Sequence, residues 1–144
     1  MHQDYLELLQ LLNDHKVRYL IIGGYAVINY AEPRYTKDLD IWVEASKVNA
    51  KKLLKVLALF KAPIDNLTVE DLMTPGLVYV FGIPPLRVDI LNRAIGARFE
   101  TAWPKRVKVD LGKLKANFVA KPTLVRLKRA AGRPQDLADL EKLK

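Results

Sequence analysis

The feature that most constrains this chain is a pair of glycines followed, one short helix further on, by two aspartates at strand spacing. The glycines are Gly23 and Gly24, directly after the apolar residue Ile22, and the aspartates are Asp38 and Asp40. Alternate residues of a strand share a face, so the two carboxylates point to one side while their apolar neighbours point into the core. Two carboxylates aimed at one place repel each other unless a cation lies between them. The pattern therefore predicts a metal site on a strand beside a strand-to-helix turn.

The glycine pair lies where a predicted strand over 17–22 turns into a predicted helix over 25–31. Glycine leaves the backbone uncovered, and the N–H groups of a helix N-terminus bind anions. Metal ligands on one side and amides on the other would form a cradle for a triphosphate. A plain tight connection is the alternative interpretation of the glycines, and a solvated strand face is that of the aspartates.

A third acid, Asp89, lies on another alternating segment in which Val88 and Ile90 point inward. Three carboxylates on two strands can hold two ions about 3.5–4 Å apart, the arrangement used for in-line displacement at phosphorus. Asp89 alone would be an ordinary strand residue, and it gains weight only beside Asp38 and Asp40. We therefore predict that these three acids bind Mg²⁺ or Mn²⁺, which take oxygen ligands of this kind.

Taken in this order, the glycine pair, the Asp-x-Asp pair and the later single Asp resemble the polymerase-beta-like nucleotidyltransferase superfamily. The run 124–140, LVRLKRAAGRPQDLADL, is similar to that of small bacterial and archaeal nucleotidyltransferases grouped with AbiEii-type toxins. It resembles more loosely MenT toxins and aminoglycoside or lincosamide nucleotidyltransferases. The resemblance covers about residues 17–143 and implies an α/β (α+β) fold, a mixed β-sheet flanked by helices with C-terminal helices.

The resemblance also implies roles for the matching positions. Gly23 and Gly24 match the phosphate-binding turn, Asp38 and Asp40 match the metal-binding pair, and Asp89 matches the third acid. That third acid can also accept a proton from the attacking hydroxyl. The implied reaction moves a nucleoside monophosphate from an NTP such as ATP to an acceptor and releases pyrophosphate.

The resemblance implies roles for three further charged residues, and a fourth is suggested by its position in the sequence. Lys128 matches a lysine that faces the nucleotide phosphates in related proteins, and Arg133 and Asp136 are weaker members of the same motif. Arg34 stands just before the aspartate pair, where its charge could meet phosphates. A plain basic helix face is the alternative for Lys128, and a solvated loop is the alternative for Arg34, as for Lys37.

Two features depart from the family pattern. Tyr25 follows the second glycine, where no small hydroxyl is therefore offered. The chain of 144 residues is also shorter than most members with established transfer activity, which leaves little room for an acceptor-binding domain. Two alternatives therefore stay open: a catalytically silent nucleotide- or RNA-binding module, and a small-molecule, antibiotic-type nucleotidyltransferase.

Charge and composition bear on the partners and the location. The formal net charge is +8, which favours association with polyanions. Basic residues crowd the last third of the chain: Lys105, Arg106, Lys108, Lys113, Lys115, Lys121, Arg126, Lys128, Arg129 and Arg133. RNA is thus a candidate acceptor, and in a toxin-like protein an antitoxin would be a candidate partner. No apolar run approaches the roughly 20 residues that span a bilayer, and with no cysteine and no signal layout we expect a cytoplasmic protein.

Periodicity and turn residues predict one domain over 1–144 with alternating helices and strands. The predicted helices cover about 3–15, 25–31, 47–60, a short stretch after Thr68, 94–102, 122–132 and the residues from Pro134 onward. The predicted strands cover 17–22, 38–44, 77–82, 86–91, 107–109 and 115–119, with a hairpin through Ile83-Pro84-Pro85.

Overall fold

The computed structural model describes residues 1–36, 38–83 and 85–144. Its α-helices are α1 Gln3–Asp14, α2 Gly23–Tyr30, α3 Lys47–Leu59, α4 Val69–Met73, α5 Phe99–Ala102, α6 Lys121–Ala131 and α7 Pro134–Lys142. Its strands are β1 Tyr19–Ile22, β2 Asp38–Val43, β3 Val78–Phe81, β4 Arg87–Leu91, β5 Val107–Asp110 and β6 Lys115–Phe118. Lys37 and Pro84, for which we predicted a phosphate-facing charge and a hairpin connection, lie outside the described residues. Among the helices of the described chain, none is long and apolar enough to cross a membrane.

The strands form one mixed sheet in the order β3-β4-β2-β1-β6-β5. The central strand β1 runs antiparallel to β2 and parallel to β6, and β2 runs parallel to β4. The pairs β3/β4 and β5/β6 are antiparallel and place β3 and β5 at the edges. This architecture confirms the predicted mixed sheet flanked by helices.

The alternation of β2 decides which of its residues can act chemically. Leu39 and Ile41 are fully buried, whereas Asp38 and Asp40 are partly exposed on the other face. Trp42 shares the aspartate face but is buried, because the ring of Phe99 meets it edge-on at 5.4 Å between centroids. Trp42 is therefore a core residue, and one sheet face carries both core and site.

Helix ends follow local chemistry that the sequence displays. Ser46 caps α3 by accepting from the N–H of Asn49, and Thr68 and Asp71 form a reciprocal capping box on α4. Gly132 ends α6 at φ +63°, a left-handed conformation that glycine adopts without strain. The turn at Gly132 lets α7 begin after only two intervening residues and pack beside α6 at the site.

The predicted helix over 94–102 is wrong in its first half. The helix begins only at Phe99, and Ala94 pairs with Ala97 in an isolated bridge around Gly96. Gly96 has φ +103°, and a side chain there would lie 2.9 Å from the carbonyl oxygen of Arg126 on α6. Close approach of α6 therefore forces a turn where local periodicity favoured a helix.

Candidate active site

Strand register brings the three predicted acids together. In the parallel pair of β2 and β4, Asp40 lies opposite Asp89 and Asp38 lies opposite Arg87. Asp38, Asp40 and Asp89 each offer a carboxylate oxygen, and these oxygens lie within 4.8 Å of one another. The trio predicted from three separate positions in the sequence is one cluster on one sheet face.

The carboxylate of Asp40 is under electrostatic stress. Its pKa is raised to about 6, first by burial and then by the nearby carboxylates of Asp89 and Asp38, while Lys128 and Arg133 act in the opposite direction. A hard divalent cation would relieve the repulsion, and three carboxylates are donors of the type that Mg²⁺ and Mn²⁺ prefer. The donor set therefore fits the predicted metal.

Arg87 is a member of this site that sequence reasoning missed. Its Nε lies 2.8 Å from Asp89 Oδ1 and 3.7 Å from Asp38 Oδ1, and its Nη2 donates to Asp89 Oδ2 at 3.1 Å. These contacts with Asp89 raise the pKa of the guanidinium. The available signal was strand alternation, since residues at i and i+2 share a face and Arg87 precedes Asp89 by two.

The glycine pair lies directly against the acids. Gly23 has φ +69°, and a Cβ there would collide with the Asp40 carboxylate. A Cβ on Gly24 would lie 2.5 Å from Thr36 Oγ1 and 3.2 Å from Arg34 Nη2. Because the two glycines have no side chains, Asp40, Thr36 and Arg34 can pack against the turn. This packing agrees with the alternative interpretation of the pair as a tight connection. Among the described residues, no side chain caps α2 at Ile22, so its first-turn N–H groups have no side-chain acceptor there.

Lys128 is buried between two carboxylates of α7. Its Nζ lies 3.2 Å from Asp136 Oδ1 and 3.0 Å from Asp139 Oδ2, and all three side chains are almost fully enclosed. Asp139 is another residue that sequence reasoning did not single out, although its position three residues after Asp136 places both on one helix face.

The two arginines predicted for the site have different surroundings. Arg34 Nε lies 3.2 Å from Asp139 Oδ1, which ties the loop before β2 to α7. Arg133 Nε lies 2.7 Å from Asp136 Oδ2, yet its side chain is 74% exposed. Arg34 therefore holds the loop before β2 against α7, whereas the exposed guanidinium of Arg133 can still donate hydrogen bonds to a ligand.

A cavity of about 370 Å³ joins the glycine turn to the C-terminal helices. Gly23, Lys128 and Arg133 line its polar side, and Leu91 and Ile95 line its apolar side. The structure thus brings Gly23, Lys128 and Arg133 to one pocket next to Asp40, whereas Gly24 and Arg34 are not among the described residues that line it.

The tyrosine after the second glycine packs rather than facing the acids. The ring of Tyr25 meets that of Tyr5 edge-on at 5.8 Å. The Tyr5 hydroxyl donates to the carbonyl oxygens of Pro85 and Arg87, both at 2.9 Å. Burial, assisted by Tyr25 and the three acids, raises the pKa of Tyr5 to about 12, so it stays a neutral donor that anchors the start of β4.

Comparison with known proteins identifies the fold. No protein-family model matches the chain, and no curated protein matches it significantly. Solved structures do match: the lincosamide antibiotic adenylyltransferase LnuA with lincomycin bound (TM-score 0.59, 16% identity) is matched over 99% of this chain and 96% of that one. ANT(2″)-Ia in complex with adenylyl-2″-tobramycin (TM-score 0.63, 12% identity) is matched over 98% and 87%. A nucleotidyltransferase-like protein from Paracoccidioides brasiliensis (TM-score 0.56, 14% identity) is matched over 97% and 71%.

The chain therefore has the nucleotidyltransferase fold, as the superfamily resemblance implied. The narrower resemblance to AbiEii-type toxins is not tested by these structures and stays a prediction.

Proposed function

We propose that this protein is a metal-dependent nucleotidyltransferase that moves a nucleoside monophosphate from an NTP to an acceptor hydroxyl or phosphate. The observation that carries the proposal is the set of three carboxylates within 4.8 Å of one another, beside a helix N-terminus that no described side chain caps. The nucleotidyltransferase fold supports it.

The acids and the turn would divide the work of binding the triphosphate. Asp38, Asp40 and Asp89 would hold Mg²⁺ or Mn²⁺, which when bound supplies positive charge to the phosphates and aligns the displacement at phosphorus. The first-turn amides of α2, at Gly23 and Gly24, would bind phosphate oxygens. Each group contacts a different part of one triphosphate.

The reaction would be a direct displacement. The acceptor oxygen forms a bond to the α-phosphorus, the bond from that phosphorus to the bridging oxygen breaks, and pyrophosphate leaves with the electron pair. A carboxylate oxygen of Asp89, oriented by two hydrogen bonds from Arg87, would accept the proton of the acceptor hydroxyl.

Positive charge near the leaving group would come from the C-terminal helices. Arg133 has an exposed guanidinium and would contact the pyrophosphate as its charge develops. Lys128, fixed by Asp136 and Asp139, would act on the phosphates from its buried position through its charge. Arg34 would keep the loop before β2 against α7 and so hold the turn in place.

Two acceptor classes have separate support. RNA is favoured by the net charge of +8. A small-molecule acceptor is favoured by the neighbours, because LnuA, matched over 96% of its chain, has lincomycin bound. A chain of this length is therefore not too short to seat an acceptor.

A toxin role is a special case with RNA as acceptor and an antitoxin as partner. Expression of the wild type would then arrest growth, and Asp38→Ala would relieve the arrest. Harmless expression of the wild type would contradict this role without touching the nucleotidyltransferase proposal.

The experiment that tests the proposal is transfer of label from each α-³²P-NTP, with Mg²⁺ or Mn²⁺, to total RNA or to a panel of aminoglycosides and lincosamides. We expect transfer by the wild type and none by the variant Asp38→Ala/Asp40→Ala. The matched control is Asp65→Ala, which removes an exposed carboxylate outside the site.

The outcomes separate the alternatives. Transfer that the site variant abolishes and the control keeps supports the enzyme and identifies its nucleotide and acceptor class. Saturable NTP binding without transfer to any acceptor contradicts the enzyme and favours the catalytically silent binding module.

A further inference from the structure

A second charged feature lies at the other end of the sheet from the acids. It is a groove of about 740 Å³, and among the described residues that line it seven are basic and none is acidic. Lys16 and Arg18 line it from the link between α1 and β1, and Lys113 and Lys115 line it from the start of β6. We call this feature the basic groove.

Strand direction separates the basic groove from the acids. β1 and β6 are parallel, so their first residues meet at one end of the sheet. Arg18 stands just before β1 and Lys115 begins β6, whereas Gly23 follows the last residue of β1. Gly23 lies five residue steps after Arg18 along nearly extended chain, about 17 Å at roughly 3.3 Å per step. A ligand group that is confined to the basic groove therefore does not contact the acids.

Aromatic packing holds like charges together in this groove. The Arg106 guanidinium lies 3.9 Å from the centroid of the Trp103 ring, and that of Arg18 lies 5.5 Å from the same centroid. Arg106 Nη1 donates to the carbonyl oxygen of Trp103, while its buried Nε finds no hydrogen-bond partner among the described residues. Two guanidinium groups on one ring repel each other, and an anion between them would remove that cost.

Most of the groove cations have no carboxylate partner among the described residues. Arg18 does contact Glu44, at 3.3 Å, but this pair is largely exposed and adds little. Lys108 projects from the edge strand β5 with its side chain exposed, and Lys52 reaches the groove from α3. The unpaired positive charges come from four segments of the chain. The groove therefore carries more positive charge than one small anion would neutralise.

We propose that the basic groove binds the sugar–phosphate backbone of a single-stranded nucleic acid. A row of cations from several segments follows a strand of repeating phosphates, and the Trp103 ring, stacked on Phe99 and covered by Arg106, holds the guanidinium groups in place. Contacts to phosphate carry no sequence information, so RNA and DNA of the same length bind alike. This inference goes beyond the proposed function, because the binding needs neither the acids nor an NTP.

The test is fluorescence anisotropy with labelled single strands of RNA and DNA, about 20 nucleotides long, in EDTA and without NTP. The groove variant is Lys108→Glu/Lys115→Glu, and the matched control is Lys55→Glu/Lys142→Glu, which changes the net charge equally at exposed positions outside the groove. All four lysines are exposed, and circular dichroism checks that both variants fold.

We expect the groove variant to bind at least tenfold more weakly than the wild type and the control to bind within about threefold, at about 150 mM salt. The slope of log K against log salt should become shallower by about 1.4 in the groove variant, about 0.7 for each of two lost phosphate contacts. Equal weakening in both variants, or no binding of either nucleic acid by the wild type, would overturn the proposal. Neither result bears on label transfer, which is measured separately.

Discussion

At the scale of single residues, Asp40 shows the conflict between stability and the proposed function. Its pKa is raised from 3.8 to about 6, chiefly by burial and then by Asp89 and Asp38. The folded protein thus holds this proton more tightly than the unfolded chain, so the contribution of Asp40 to the stability of the metal-free protein is greatest below about pH 4. This contribution falls between about pH 4 and 6 and stays lower above that window, by an amount of about 3 kcal/mol.

Asp40→Asn should therefore stabilise the metal-free protein while removing its response to metal. In EDTA at about pH 7.5 we expect a gain of about 1–3 kcal/mol in the free energy of unfolding, because the uncompensated charge is gone. At about pH 4 the gain should vanish, since Asp40 is already protonated there. Thermal unfolding at both pH values, with and without Mg²⁺, measures this. A loss of stability at pH 7.5 would contradict the assignment of charge stress to Asp40.

The sequence predicts the part of the site that depends on the alternation of side chains within one strand. Alternation places Asp38 and Asp40 on one face, but which strand lies next to β2 is a matter of sheet order, which only the fold shows. For that reason the contact of Arg87 with Asp38 on the neighbouring strand was missed, although alternation within β4 already places Arg87 and Asp89 on one face. Proximity between strands, rather than residue type, was the missing information.

At the scale of elements, one buried ion network joins α6, α7 and the loop before β2. Lys128 on α6 contacts Asp136 and Asp139 on α7, and Arg34 from the loop contacts Asp139. A helix pattern with basic residues predicts an exposed face, so burial of Lys128 could not be read from α6 alone. Its carboxylate partners lie in another helix, and tertiary packing encloses all three.

Lys128→Met should destabilise the protein by about 3 kcal/mol, near the lower end for a broken buried ion pair. The lower end applies because Arg133 and Arg34 still neutralise part of the charge on Asp136 and Asp139. Urea unfolding measures the loss, and Lys142→Met, at an exposed position of α7, should change stability by less than about 0.5 kcal/mol. Unchanged stability in Lys128→Met would show that the network contributes little, and would leave Lys128 to a role in ligand binding alone.

The end of α6 allows a paired test of backbone strain. Gly132→Ala should cost about 1 kcal/mol, because φ is +63° and the added methyl itself has room, with its nearest neighbour at 3.6 Å. Lys61 follows the C-cap Phe60 of α3 and also has φ +63°, so Lys61→Gly should change stability with the opposite sign. Urea unfolding of both variants checks this. The same sign in both would mean that left-handed strain does not decide either helix end.

Most elements were predictable because their signals are local. The caps at Ser46 and Thr68 and the glycine at 132 mark ends that lie within a residue or two of those predicted. The predicted helix from residue 94 failed because Gly96 meets the backbone of α6, a contact made only in the folded chain. Signals close in the sequence therefore predicted most elements, and the one failure came from a contact between Gly96 and α6, which are distant in the sequence.

At the scale of the whole molecule, opposite charges occupy opposite ends of one sheet. The acids lie at the end of β1, where Asp40 pairs with its last residue Ile22, and the basic groove lies before its first residue. The two are separated by about 17 Å of extended chain, which is about twice the Debye length of roughly 8 Å at physiological salt.

Nucleic-acid binding should therefore be independent of the acids at physiological salt and coupled to them only at low salt. At about 150 mM salt, Asp38→Ala/Asp40→Ala should bind a labelled single strand within twofold of the wild type, because screening removes the effect of two distant charges. At about 10 mM salt the Debye length is roughly 30 Å, and the variant should bind more tightly, since repulsion between phosphates and carboxylates is lost. Anisotropy titrations at the two salt concentrations measure this. A variant that binds much more tightly or more weakly than the wild type at 150 mM salt would place the strand at the acids rather than in the basic groove.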